Sequence, residues 1–416
     1  MFLKKYLNTI KAEPLVFFMG SCVMMLTIMG TSVRHVSSAV FAILFLLSFV
    51  VIKDWYKVFS ALSKLEKLFL AAFLLYMISG VLSFYNADDV DKYYRLFERY
   101  LRFALIIPVY LLIIRKNRSL LNYLYAGSIL SGPFLLTVAL AHYVANPEVP
   151  AQGYYHHIIF GQLAMLNVGI MLSLILTRDI ERRFQFVIML SMVCGLVTAV
   201  MSQARGVWLV FPLYLIIAIF YIVKEKRLNS KAFAAAIVAI VALSILTPVG
   251  DLIKQRTGEA VTEVKRYYSD DMYASSVGGR LAMWDIAIDV WQQHPVLGTS
   301  PGDFDDEIVT LQNRGEYIGM PVHNSVHNIY LQALVGSGLV GLAALFFAVI
   351  YMPLRLMLNR DITDKSGRLA GFVTIASFAI YGFSESWTLR LSATSVFLVF
   401  IVVIVSHLSI VRSQKK

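Results

Sequence analysis

The sequence predicts an all-α, polytopic membrane protein with about twelve spanning helices and one long loop between the ninth and the tenth. Three observations carry this. The 416 residues are 58% hydrophobic and only 15% charged, against about 25% charged in soluble globular chains. Apolar runs of about 20 residues, the length that crosses hydrocarbon as a helix, recur along the chain. The short alternating strands of a membrane barrel do not.

In order, the apolar runs place spans near residues 15–30, 36–52, 67–84, 100–114, 119–141, 157–177, 184–202, 206–223, 232–249, 327–352, 369–385 and 391–411. The organisation is therefore 1–249 for spans one to nine, 250–326 for the loop, and 327–416 for spans ten to twelve. The basic start, Met1 to Lys11, leads into an apolar run without a small-residue cleavage pattern, so the first span is read as retained. The first two spans are parted only by Thr31 to His35. The fourth is short, which suggests a tilted or partly re-entrant segment. Cys22 and Cys194 each fall inside a span and read as buried thiols, too few for a disulfide framework.

Charge sets the expected orientation. With both termini in the cytoplasm, the cytoplasmic segments hold 24 of the 37 basic residues, and Lys/Arg bias fixes topology. The long loop then faces away from the cytoplasm. The net charge of +11 is mostly this topology signal and needs no nucleic acid. Basic residues left on the outer side are clustered. Arg95, Arg99 and Arg102 stand at the entrance to the fourth span, and Arg205 stands where the seventh and eighth meet. Either they bind anions or they pair with outer acids such as Asp88, Asp89, Asp91 and Glu98.

The junction Ser202-Gln-Ala-Arg205-Gly-Val-Trp208 has almost no loop. An unpaired Arg near hydrocarbon costs several kcal/mol, so Arg205 is either a snorkelling anchor or a ligand for an anion such as phosphate. Within the long loop, Leu281, Trp284, Ile288 and Trp291 recur at helical spacing, an amphipathic helix on the membrane or on the bundle. Gly278-Gly279 gives it a flexible start, and His294-Pro295 stops it. Arg280 then lies in the first turn. Asp251 to Tyr268 reads as a second amphipathic helix. Gly298 and Gly302 suit a backbone that comes close to something. Asp303, Asp305, Asp306 and Glu307 are a solvated face or a cation site.

Arg205, Arg280 and His327 together offer a specific chemistry. Guanidinium groups bind phosphate oxygens bidentately and stay charged, and two suit a diphosphate. Histidine can remove a hydroxyl proton near neutral pH, and two nearby arginines would favour its neutral form. A hydroxyl nucleophile, a base and a stabilised diphosphate leaving group complete a glycosyl transfer. His327 at the start of a span predicts a helical, rigid mount; otherwise it is an interfacial cap. His323, four residues earlier, is a helper, a loop residue or half of a metal pair, but no HExxH pattern surrounds it. His156 and His157 read as interfacial.

The chain resembles the superfamily of O-antigen ligases, O-antigen polymerases and protein O-oligosaccharyltransferases. The resemblance rests on the span-joining Arg205-Gly and on Gly-Gly-Arg280-Leu-x-x-Trp284. Pro-x-x-Gly-x-x-x-Gly-x-Phe304 follows, then His327-Asn-x-Tyr-Leu-x-x-Leu-Val-x-x-Gly338-Leu-x-Gly341-Leu. It implies a metal-independent, cofactor-free inverting glycosyltransferase. The donor would be an undecaprenyl-pyrophosphate-linked O-antigen and the acceptor a hydroxyl of lipid A–core. His327 would be the base, and Arg205 and Arg280 would hold the pyrophosphate. His323, Asn328, Arg99 and Arg102 are further substrate-binding candidates beside them. A polymerase or protein-directed transferase is the alternative within this chemistry. A lipid-linked glycan flippase is the alternative outside it, although no charge lies clearly at a span centre.

Overall fold

The computed structural model describes residues 13–30, 32–33, 35–154, 156–225, 248–270, 273, 275–359 and 361–414. These are helices and connecting turns, with no strand among the described residues. In chain order they are α1 Pro14–Met29, α2 Val36–Val51, α3 Trp55–Ser60, α4 Lys64–Leu82, α5 Val90–Lys116, α6 Leu121–Ala145, α7 His157–Thr177 and α8 Arg182–Met201. A 3-10 turn, Arg205–Val210, leads into α9 Phe211–Glu225. Then come α10 Pro248–Asp270, α11 Gly278–Gln293, α12 Phe304–Asn313, α13 Ile329–Phe346, α14 Met352–Met357, α15 Lys365–Tyr381 and α16 Leu391–Ser413.

Among the described residues, seven segments are long and apolar enough to cross a membrane: Lys64–Asn86, Leu121–Ala145, His157–Thr177, Arg182–Met201, Arg205–Lys224, Ile329–Met357 and Leu391–Ser413. Pro14–Met29 and Val36–Val51 are apolar but shorter. Residues 232–247 of the ninth predicted span lie outside the described residues, as does Met1 to Lys11. Two predicted spans begin earlier than expected. The fourth is the later part of α5, a 27-residue helix capped by Asp89, whose carboxylate accepts from the Lys92 amide at 2.9 Å. Arg95, Arg99 and Arg102 therefore ride on a helix. The eleventh, α15, is started by Asp364, which accepts from the Ser366 and Gly367 amides. It ends at Tyr381, so Glu385 lies beyond it.

Burial sorts the helices into centre and rim. Of the apolar stretches, α7 is 94% and α16 89% buried, whereas α8 is 28% buried. The two central helices read as apolar all round, as enclosed helices do. α15 packs against both, with α6 and α8 against α7 and α2 and α5 against α16. Cys22 is buried, Cys194 is partly so, and both are free thiols.

The loop is anchored to one end of this bundle. Asn86 donates to the Gly298 carbonyl at 2.7 Å, and Lys92 pairs with Asp305 at 3.2 Å and Asp306 at 2.6 Å. The acidic run thus docks α12 on α5. Asp303 is 2% exposed and accepts from the Asp88 amide, and burial pushes its carboxyl up. Gly302 lies against the Lys92–Tyr93 backbone. The deepest anchor is a break in α13. Ser337 and Gly338 leave helical geometry, with Gly338 at φ +63. The loop then supplies the missing backbone partners. The Thr299 amide donates to the Val335 carbonyl at 2.8 Å, and the Leu339 amide to the Pro295 carbonyl at 2.9 Å. A Cβ on Gly298 would fall 2.4 Å from the Val335 oxygen, and one on Gly338 2.2 Å from the Val296 oxygen. Both positions need glycine for closeness and for positive φ. What Gly298 approaches is this helix.

The α11 prediction is right in extent and wrong in face. Its buried stripe is Gly278, Gly279, Ala282, Met283, Ile286, Ala287 and Val290. The bulkier Leu281, Trp284 and Trp291 are half-buried and Ile288 is exposed. Small residues let α11 approach α13 closely, so volume did not mark the packed side. The glycine pair forms the first turn of the helix and is buried, not a flexible hinge.

Candidate active site

The sequence motifs meet at the end of the bundle where the loop docks. A cavity of about 240 Å³ is lined by Tyr273, Ser276, Arg280, Met283, His323 and His327, among others. Arg280 and His327, 47 positions apart, share this one space.

His327 does not have the helical mount expected of it. It sits two residues before α13 in a left-handed conformation, φ +53. A side chain that branches past Cβ pays for that geometry unless its surroundings impose it. Here they do. The His327 amide donates to Ser325 Oγ at 3.2 Å, and the Val326 amide to Gln332 Oε1 at 3.0 Å. The Asn328 amide donates to Ser386 Oγ at 3.1 Å, and the Ile329 amide to the Gly382 carbonyl at 2.8 Å. Asn328 is the N-cap of α13. Its side-chain oxygen accepts from the Tyr330 and Leu331 amides, and the residue is buried, so its role here is to start the helix.

Sequence reasoning missed the partner of His327. Glu385 is fully buried, with Oε2 3.2 Å from His327 Nδ1 and Oε1 3.3 Å from Arg390 Nε. Burial alone would raise this carboxyl. The hydrogen bond from His327 and the charges of His327 and Arg390 outweigh it and hold Glu385 at about 2. An ionised carboxylate only accepts, so the proton of a neutral imidazole is on Nδ1. The lone pair is then on Nε2, as a general base requires.

Arg280 is placed as expected, in the first turn of α11. Its Nη1 donates to the Ser276 carbonyl and hydroxyl, both at 2.9 Å, while its buried Nε has no partner. Burial works against its cation; the Glu385 and Glu263 carboxylates support it, and the Arg205 charge opposes it. Arg205 and Glu385 therefore both lie within electrostatic reach of Arg280. Arg205 itself is not in the cavity wall. Its guanidinium is held by two carboxylates of α10, Glu259 at 3.1 Å and Glu263 at 3.3 Å. Glu263 also accepts from the Val277 amide at 2.7 Å, just before α11. One glutamate thus ties the Arg205 turn to the Arg280 helix.

The His323 ring stands edge-on to His327, centroids 5.9 Å apart, and burial with the His327 charge lowers its pKa. Among the described residues, no group of three His, Cys, Asp or Glu is arranged to hold a metal ion. The His156 and His157 rings are tilted against each other, centroids 4.5 Å apart. Burial, and then the His157 charge, lower His156 to about 4; it also feels Glu385, Arg390 and His327. This pair, read as merely interfacial, borders the site. Arg99 donates to the Leu389 carbonyl. Arg102 is instead 8% exposed and saturated by Ser395 at 2.7 Å, Ser38 and Glu98, with Phe41 beneath it. It joins α5 to α2 and α16.

A relative from Haemophilus influenzae, an uncharacterized protein, is 23% identical over 337 residues, covering 77% of this chain and 81% of its own length. Residues 190–346, which include Arg205, Arg280 and His327, match the O-antigen ligase family model. The likeness to that family thus runs from α8 to α13.

Proposed function

We propose that the protein transfers an O-antigen glycan from undecaprenyl pyrophosphate to a sugar hydroxyl of lipid A–core, with inversion, at the periplasmic face of the inner membrane. The observation that carries this reading is His327, held at Nδ1 by a buried carboxylate and lining one cavity with Arg280. His327 Nε2 takes the proton of the acceptor hydroxyl. The freed oxygen attacks the anomeric carbon, and the bond from that carbon to the diphosphate oxygen breaks with its electron pair. Arg280, and Arg205 once released from its glutamates, receive the diphosphate charge. Glu385 stabilises the imidazolium formed on the way.

The test is transfer by purified protein in detergent, given lipid-linked glycan and lipid A–core. Wild type is expected to form product in the presence of chelator, and His327→Ala to form none while remaining folded. Lipid-linked chains extended by repeat units, without ligated lipid A–core, would assign the polymerase activity instead. Flipping without any transfer would assign a transporter.

A further inference from the structure

A second group of cations stands next to the carboxylate that holds the base, with Glu385 between His327 and Arg390. Arg390 reaches Glu385 only through Nε, at 3.3 Å, and its side chain is 38% exposed. Its two terminal nitrogens carry no hydrogen bond among the described residues. Arg99, from α5, donates to the carbonyl of Leu389, the residue just before Arg390. Arg99 is thus brought from α5 to the turn Trp387–Leu389 that Arg390 follows, and the Arg390 charge acts on it. The Arg99 Nε is buried and has no partner.

The local acids do not balance these charges. Glu98 is taken by Arg102 at 3.2 Å. Glu385 is shared between Arg390 and His327. Counting Arg99, Arg102 and Arg390 against Glu98 and Glu385 leaves one cation over, at the end of a helical bundle of membrane type. Such a charge is costly unless an anion or water meets it. Arginine pairs in this setting recognise planar or tetrahedral oxyanions.

We infer that Arg99 and Arg390 form a binding site for a phosphate carried by the acceptor glycan. This rests on the transfer reaction proposed above. There, Arg280 and Arg205 face the leaving diphosphate. His327 takes the acceptor proton and is joined to Arg390 through Glu385, so an anion site at Arg390 falls to the acceptor. The link Arg390–Glu385–His327 also means that an anion on Arg390 would draw its charge away from Glu385. Acceptor binding would then leave that carboxylate freer to support the imidazolium.

The test uses full-length protein in nanodiscs and two probes: lipid A–core with its phosphates, and the same molecule after their chemical removal. Binding is measured first, without donor, so that it does not depend on turnover. Wild type is expected to bind the phosphorylated probe about tenfold more tightly than the dephosphorylated one. Arg99→Gln is expected to lose that preference. Arg390→Gln should do the same with Glu385 intact. In the transfer assay, Arg99→Gln should raise the acceptor KM about tenfold and leave the donor KM unchanged. Equal binding of both probes by wild type would overturn the site. So would a shift in the donor KM alone, or displacement of the phosphorylated probe by phosphatidylglycerol, which would assign the arginines to a bilayer headgroup. Binding as expected with no transfer would leave this site standing and remove the proposed reaction.

Discussion

Replacing Glu385 by glutamine separates the charge of the buried carboxylate from its shape. In the wild type, Oε1 accepts from Arg390 Nε and Oε2 from His327 Nδ1. Arg390 can only donate, so the glutamine carbonyl must turn towards it. The amide NH2 then faces Nδ1, and a neutral imidazole answers by moving its proton to Nε2. The nitrogen that should accept the hydroxyl proton becomes a donor. Loss of one charge-assisted hydrogen bond to the imidazolium costs about 1.5–3 kcal/mol, roughly 10- to 150-fold in rate. Tautomer reversal adds to this, and together they reach about 10³–10⁴ where a serine-protease triad loses the same charge. We expect kcat to fall at least about 100-fold, with both KM values within about threefold. The assay is single-turnover transfer with purified protein, with thermal unfolding as the control for folding. A folded Glu385→Gln protein turning over at the wild-type rate would remove the carboxylate from the mechanism, and with it the case for His327 as an oriented base. The same variant has a pH signature. The Glu385 carboxyl is lowered to about 2 from an ordinary 4.5, so its stabilisation is complete above about 4.5 and is lost as pH falls towards 2, roughly 3 kcal/mol in all. Wild type should destabilise through that window more steeply than Glu385→Gln.

Three further outcomes are expected. Arg280→Lys keeps the charge but not the planar fork, and transfer should drop about 100-fold in donor kcat/KM; near-normal turnover would take Arg280 out of the diphosphate role. Glu259→Gln frees one side of Arg205, so the donor KM should fall by up to about fivefold, the scale of a partly exposed ion pair. A rise in that KM would show that Glu259 positions Arg205 instead of competing with the donor. Gly338→Ala places a Cβ 2.2 Å from the Val296 oxygen at φ +63. It should cost about 3 kcal/mol or more of stability, read as a lowered unfolding midpoint in detergent.

Hydropathy and motif spacing were enough to find the helical body and to bring Arg280 and His327 into one site. They gave His327 no partner, because nothing in the chain pairs positions 58 apart. A hint was there: a lone acid closing an apolar run, where an ionisable group needs a reason. The expected end of the eleventh span at 385 hid it, since α15 begins at Lys365 and is over by Tyr381. His327 was given a helical backbone because apolar content resumes there. Its actual conformation is set by Gln332 and Ser386, contacts made by folding. Nor did the basic residues at the loop end reveal their partners. Arg205 has two glutamates, Arg102 a saturated network, and Arg99 one carbonyl. Charge alone could not rank them.

The interruption at Ser337–Gly338 bears on how such proteins can be recombined. Two segments, residues 295–299 and 335–340, complete each other's backbone. A chimera that imports the loop of a relative while keeping the host helix would strand amides and carbonyls at a depth where solvent cannot reach them. Transplanting acceptor or donor preference therefore means moving both segments as a set, and libraries that shuffle the loop by itself should yield mostly protein that is degraded before it is assayed.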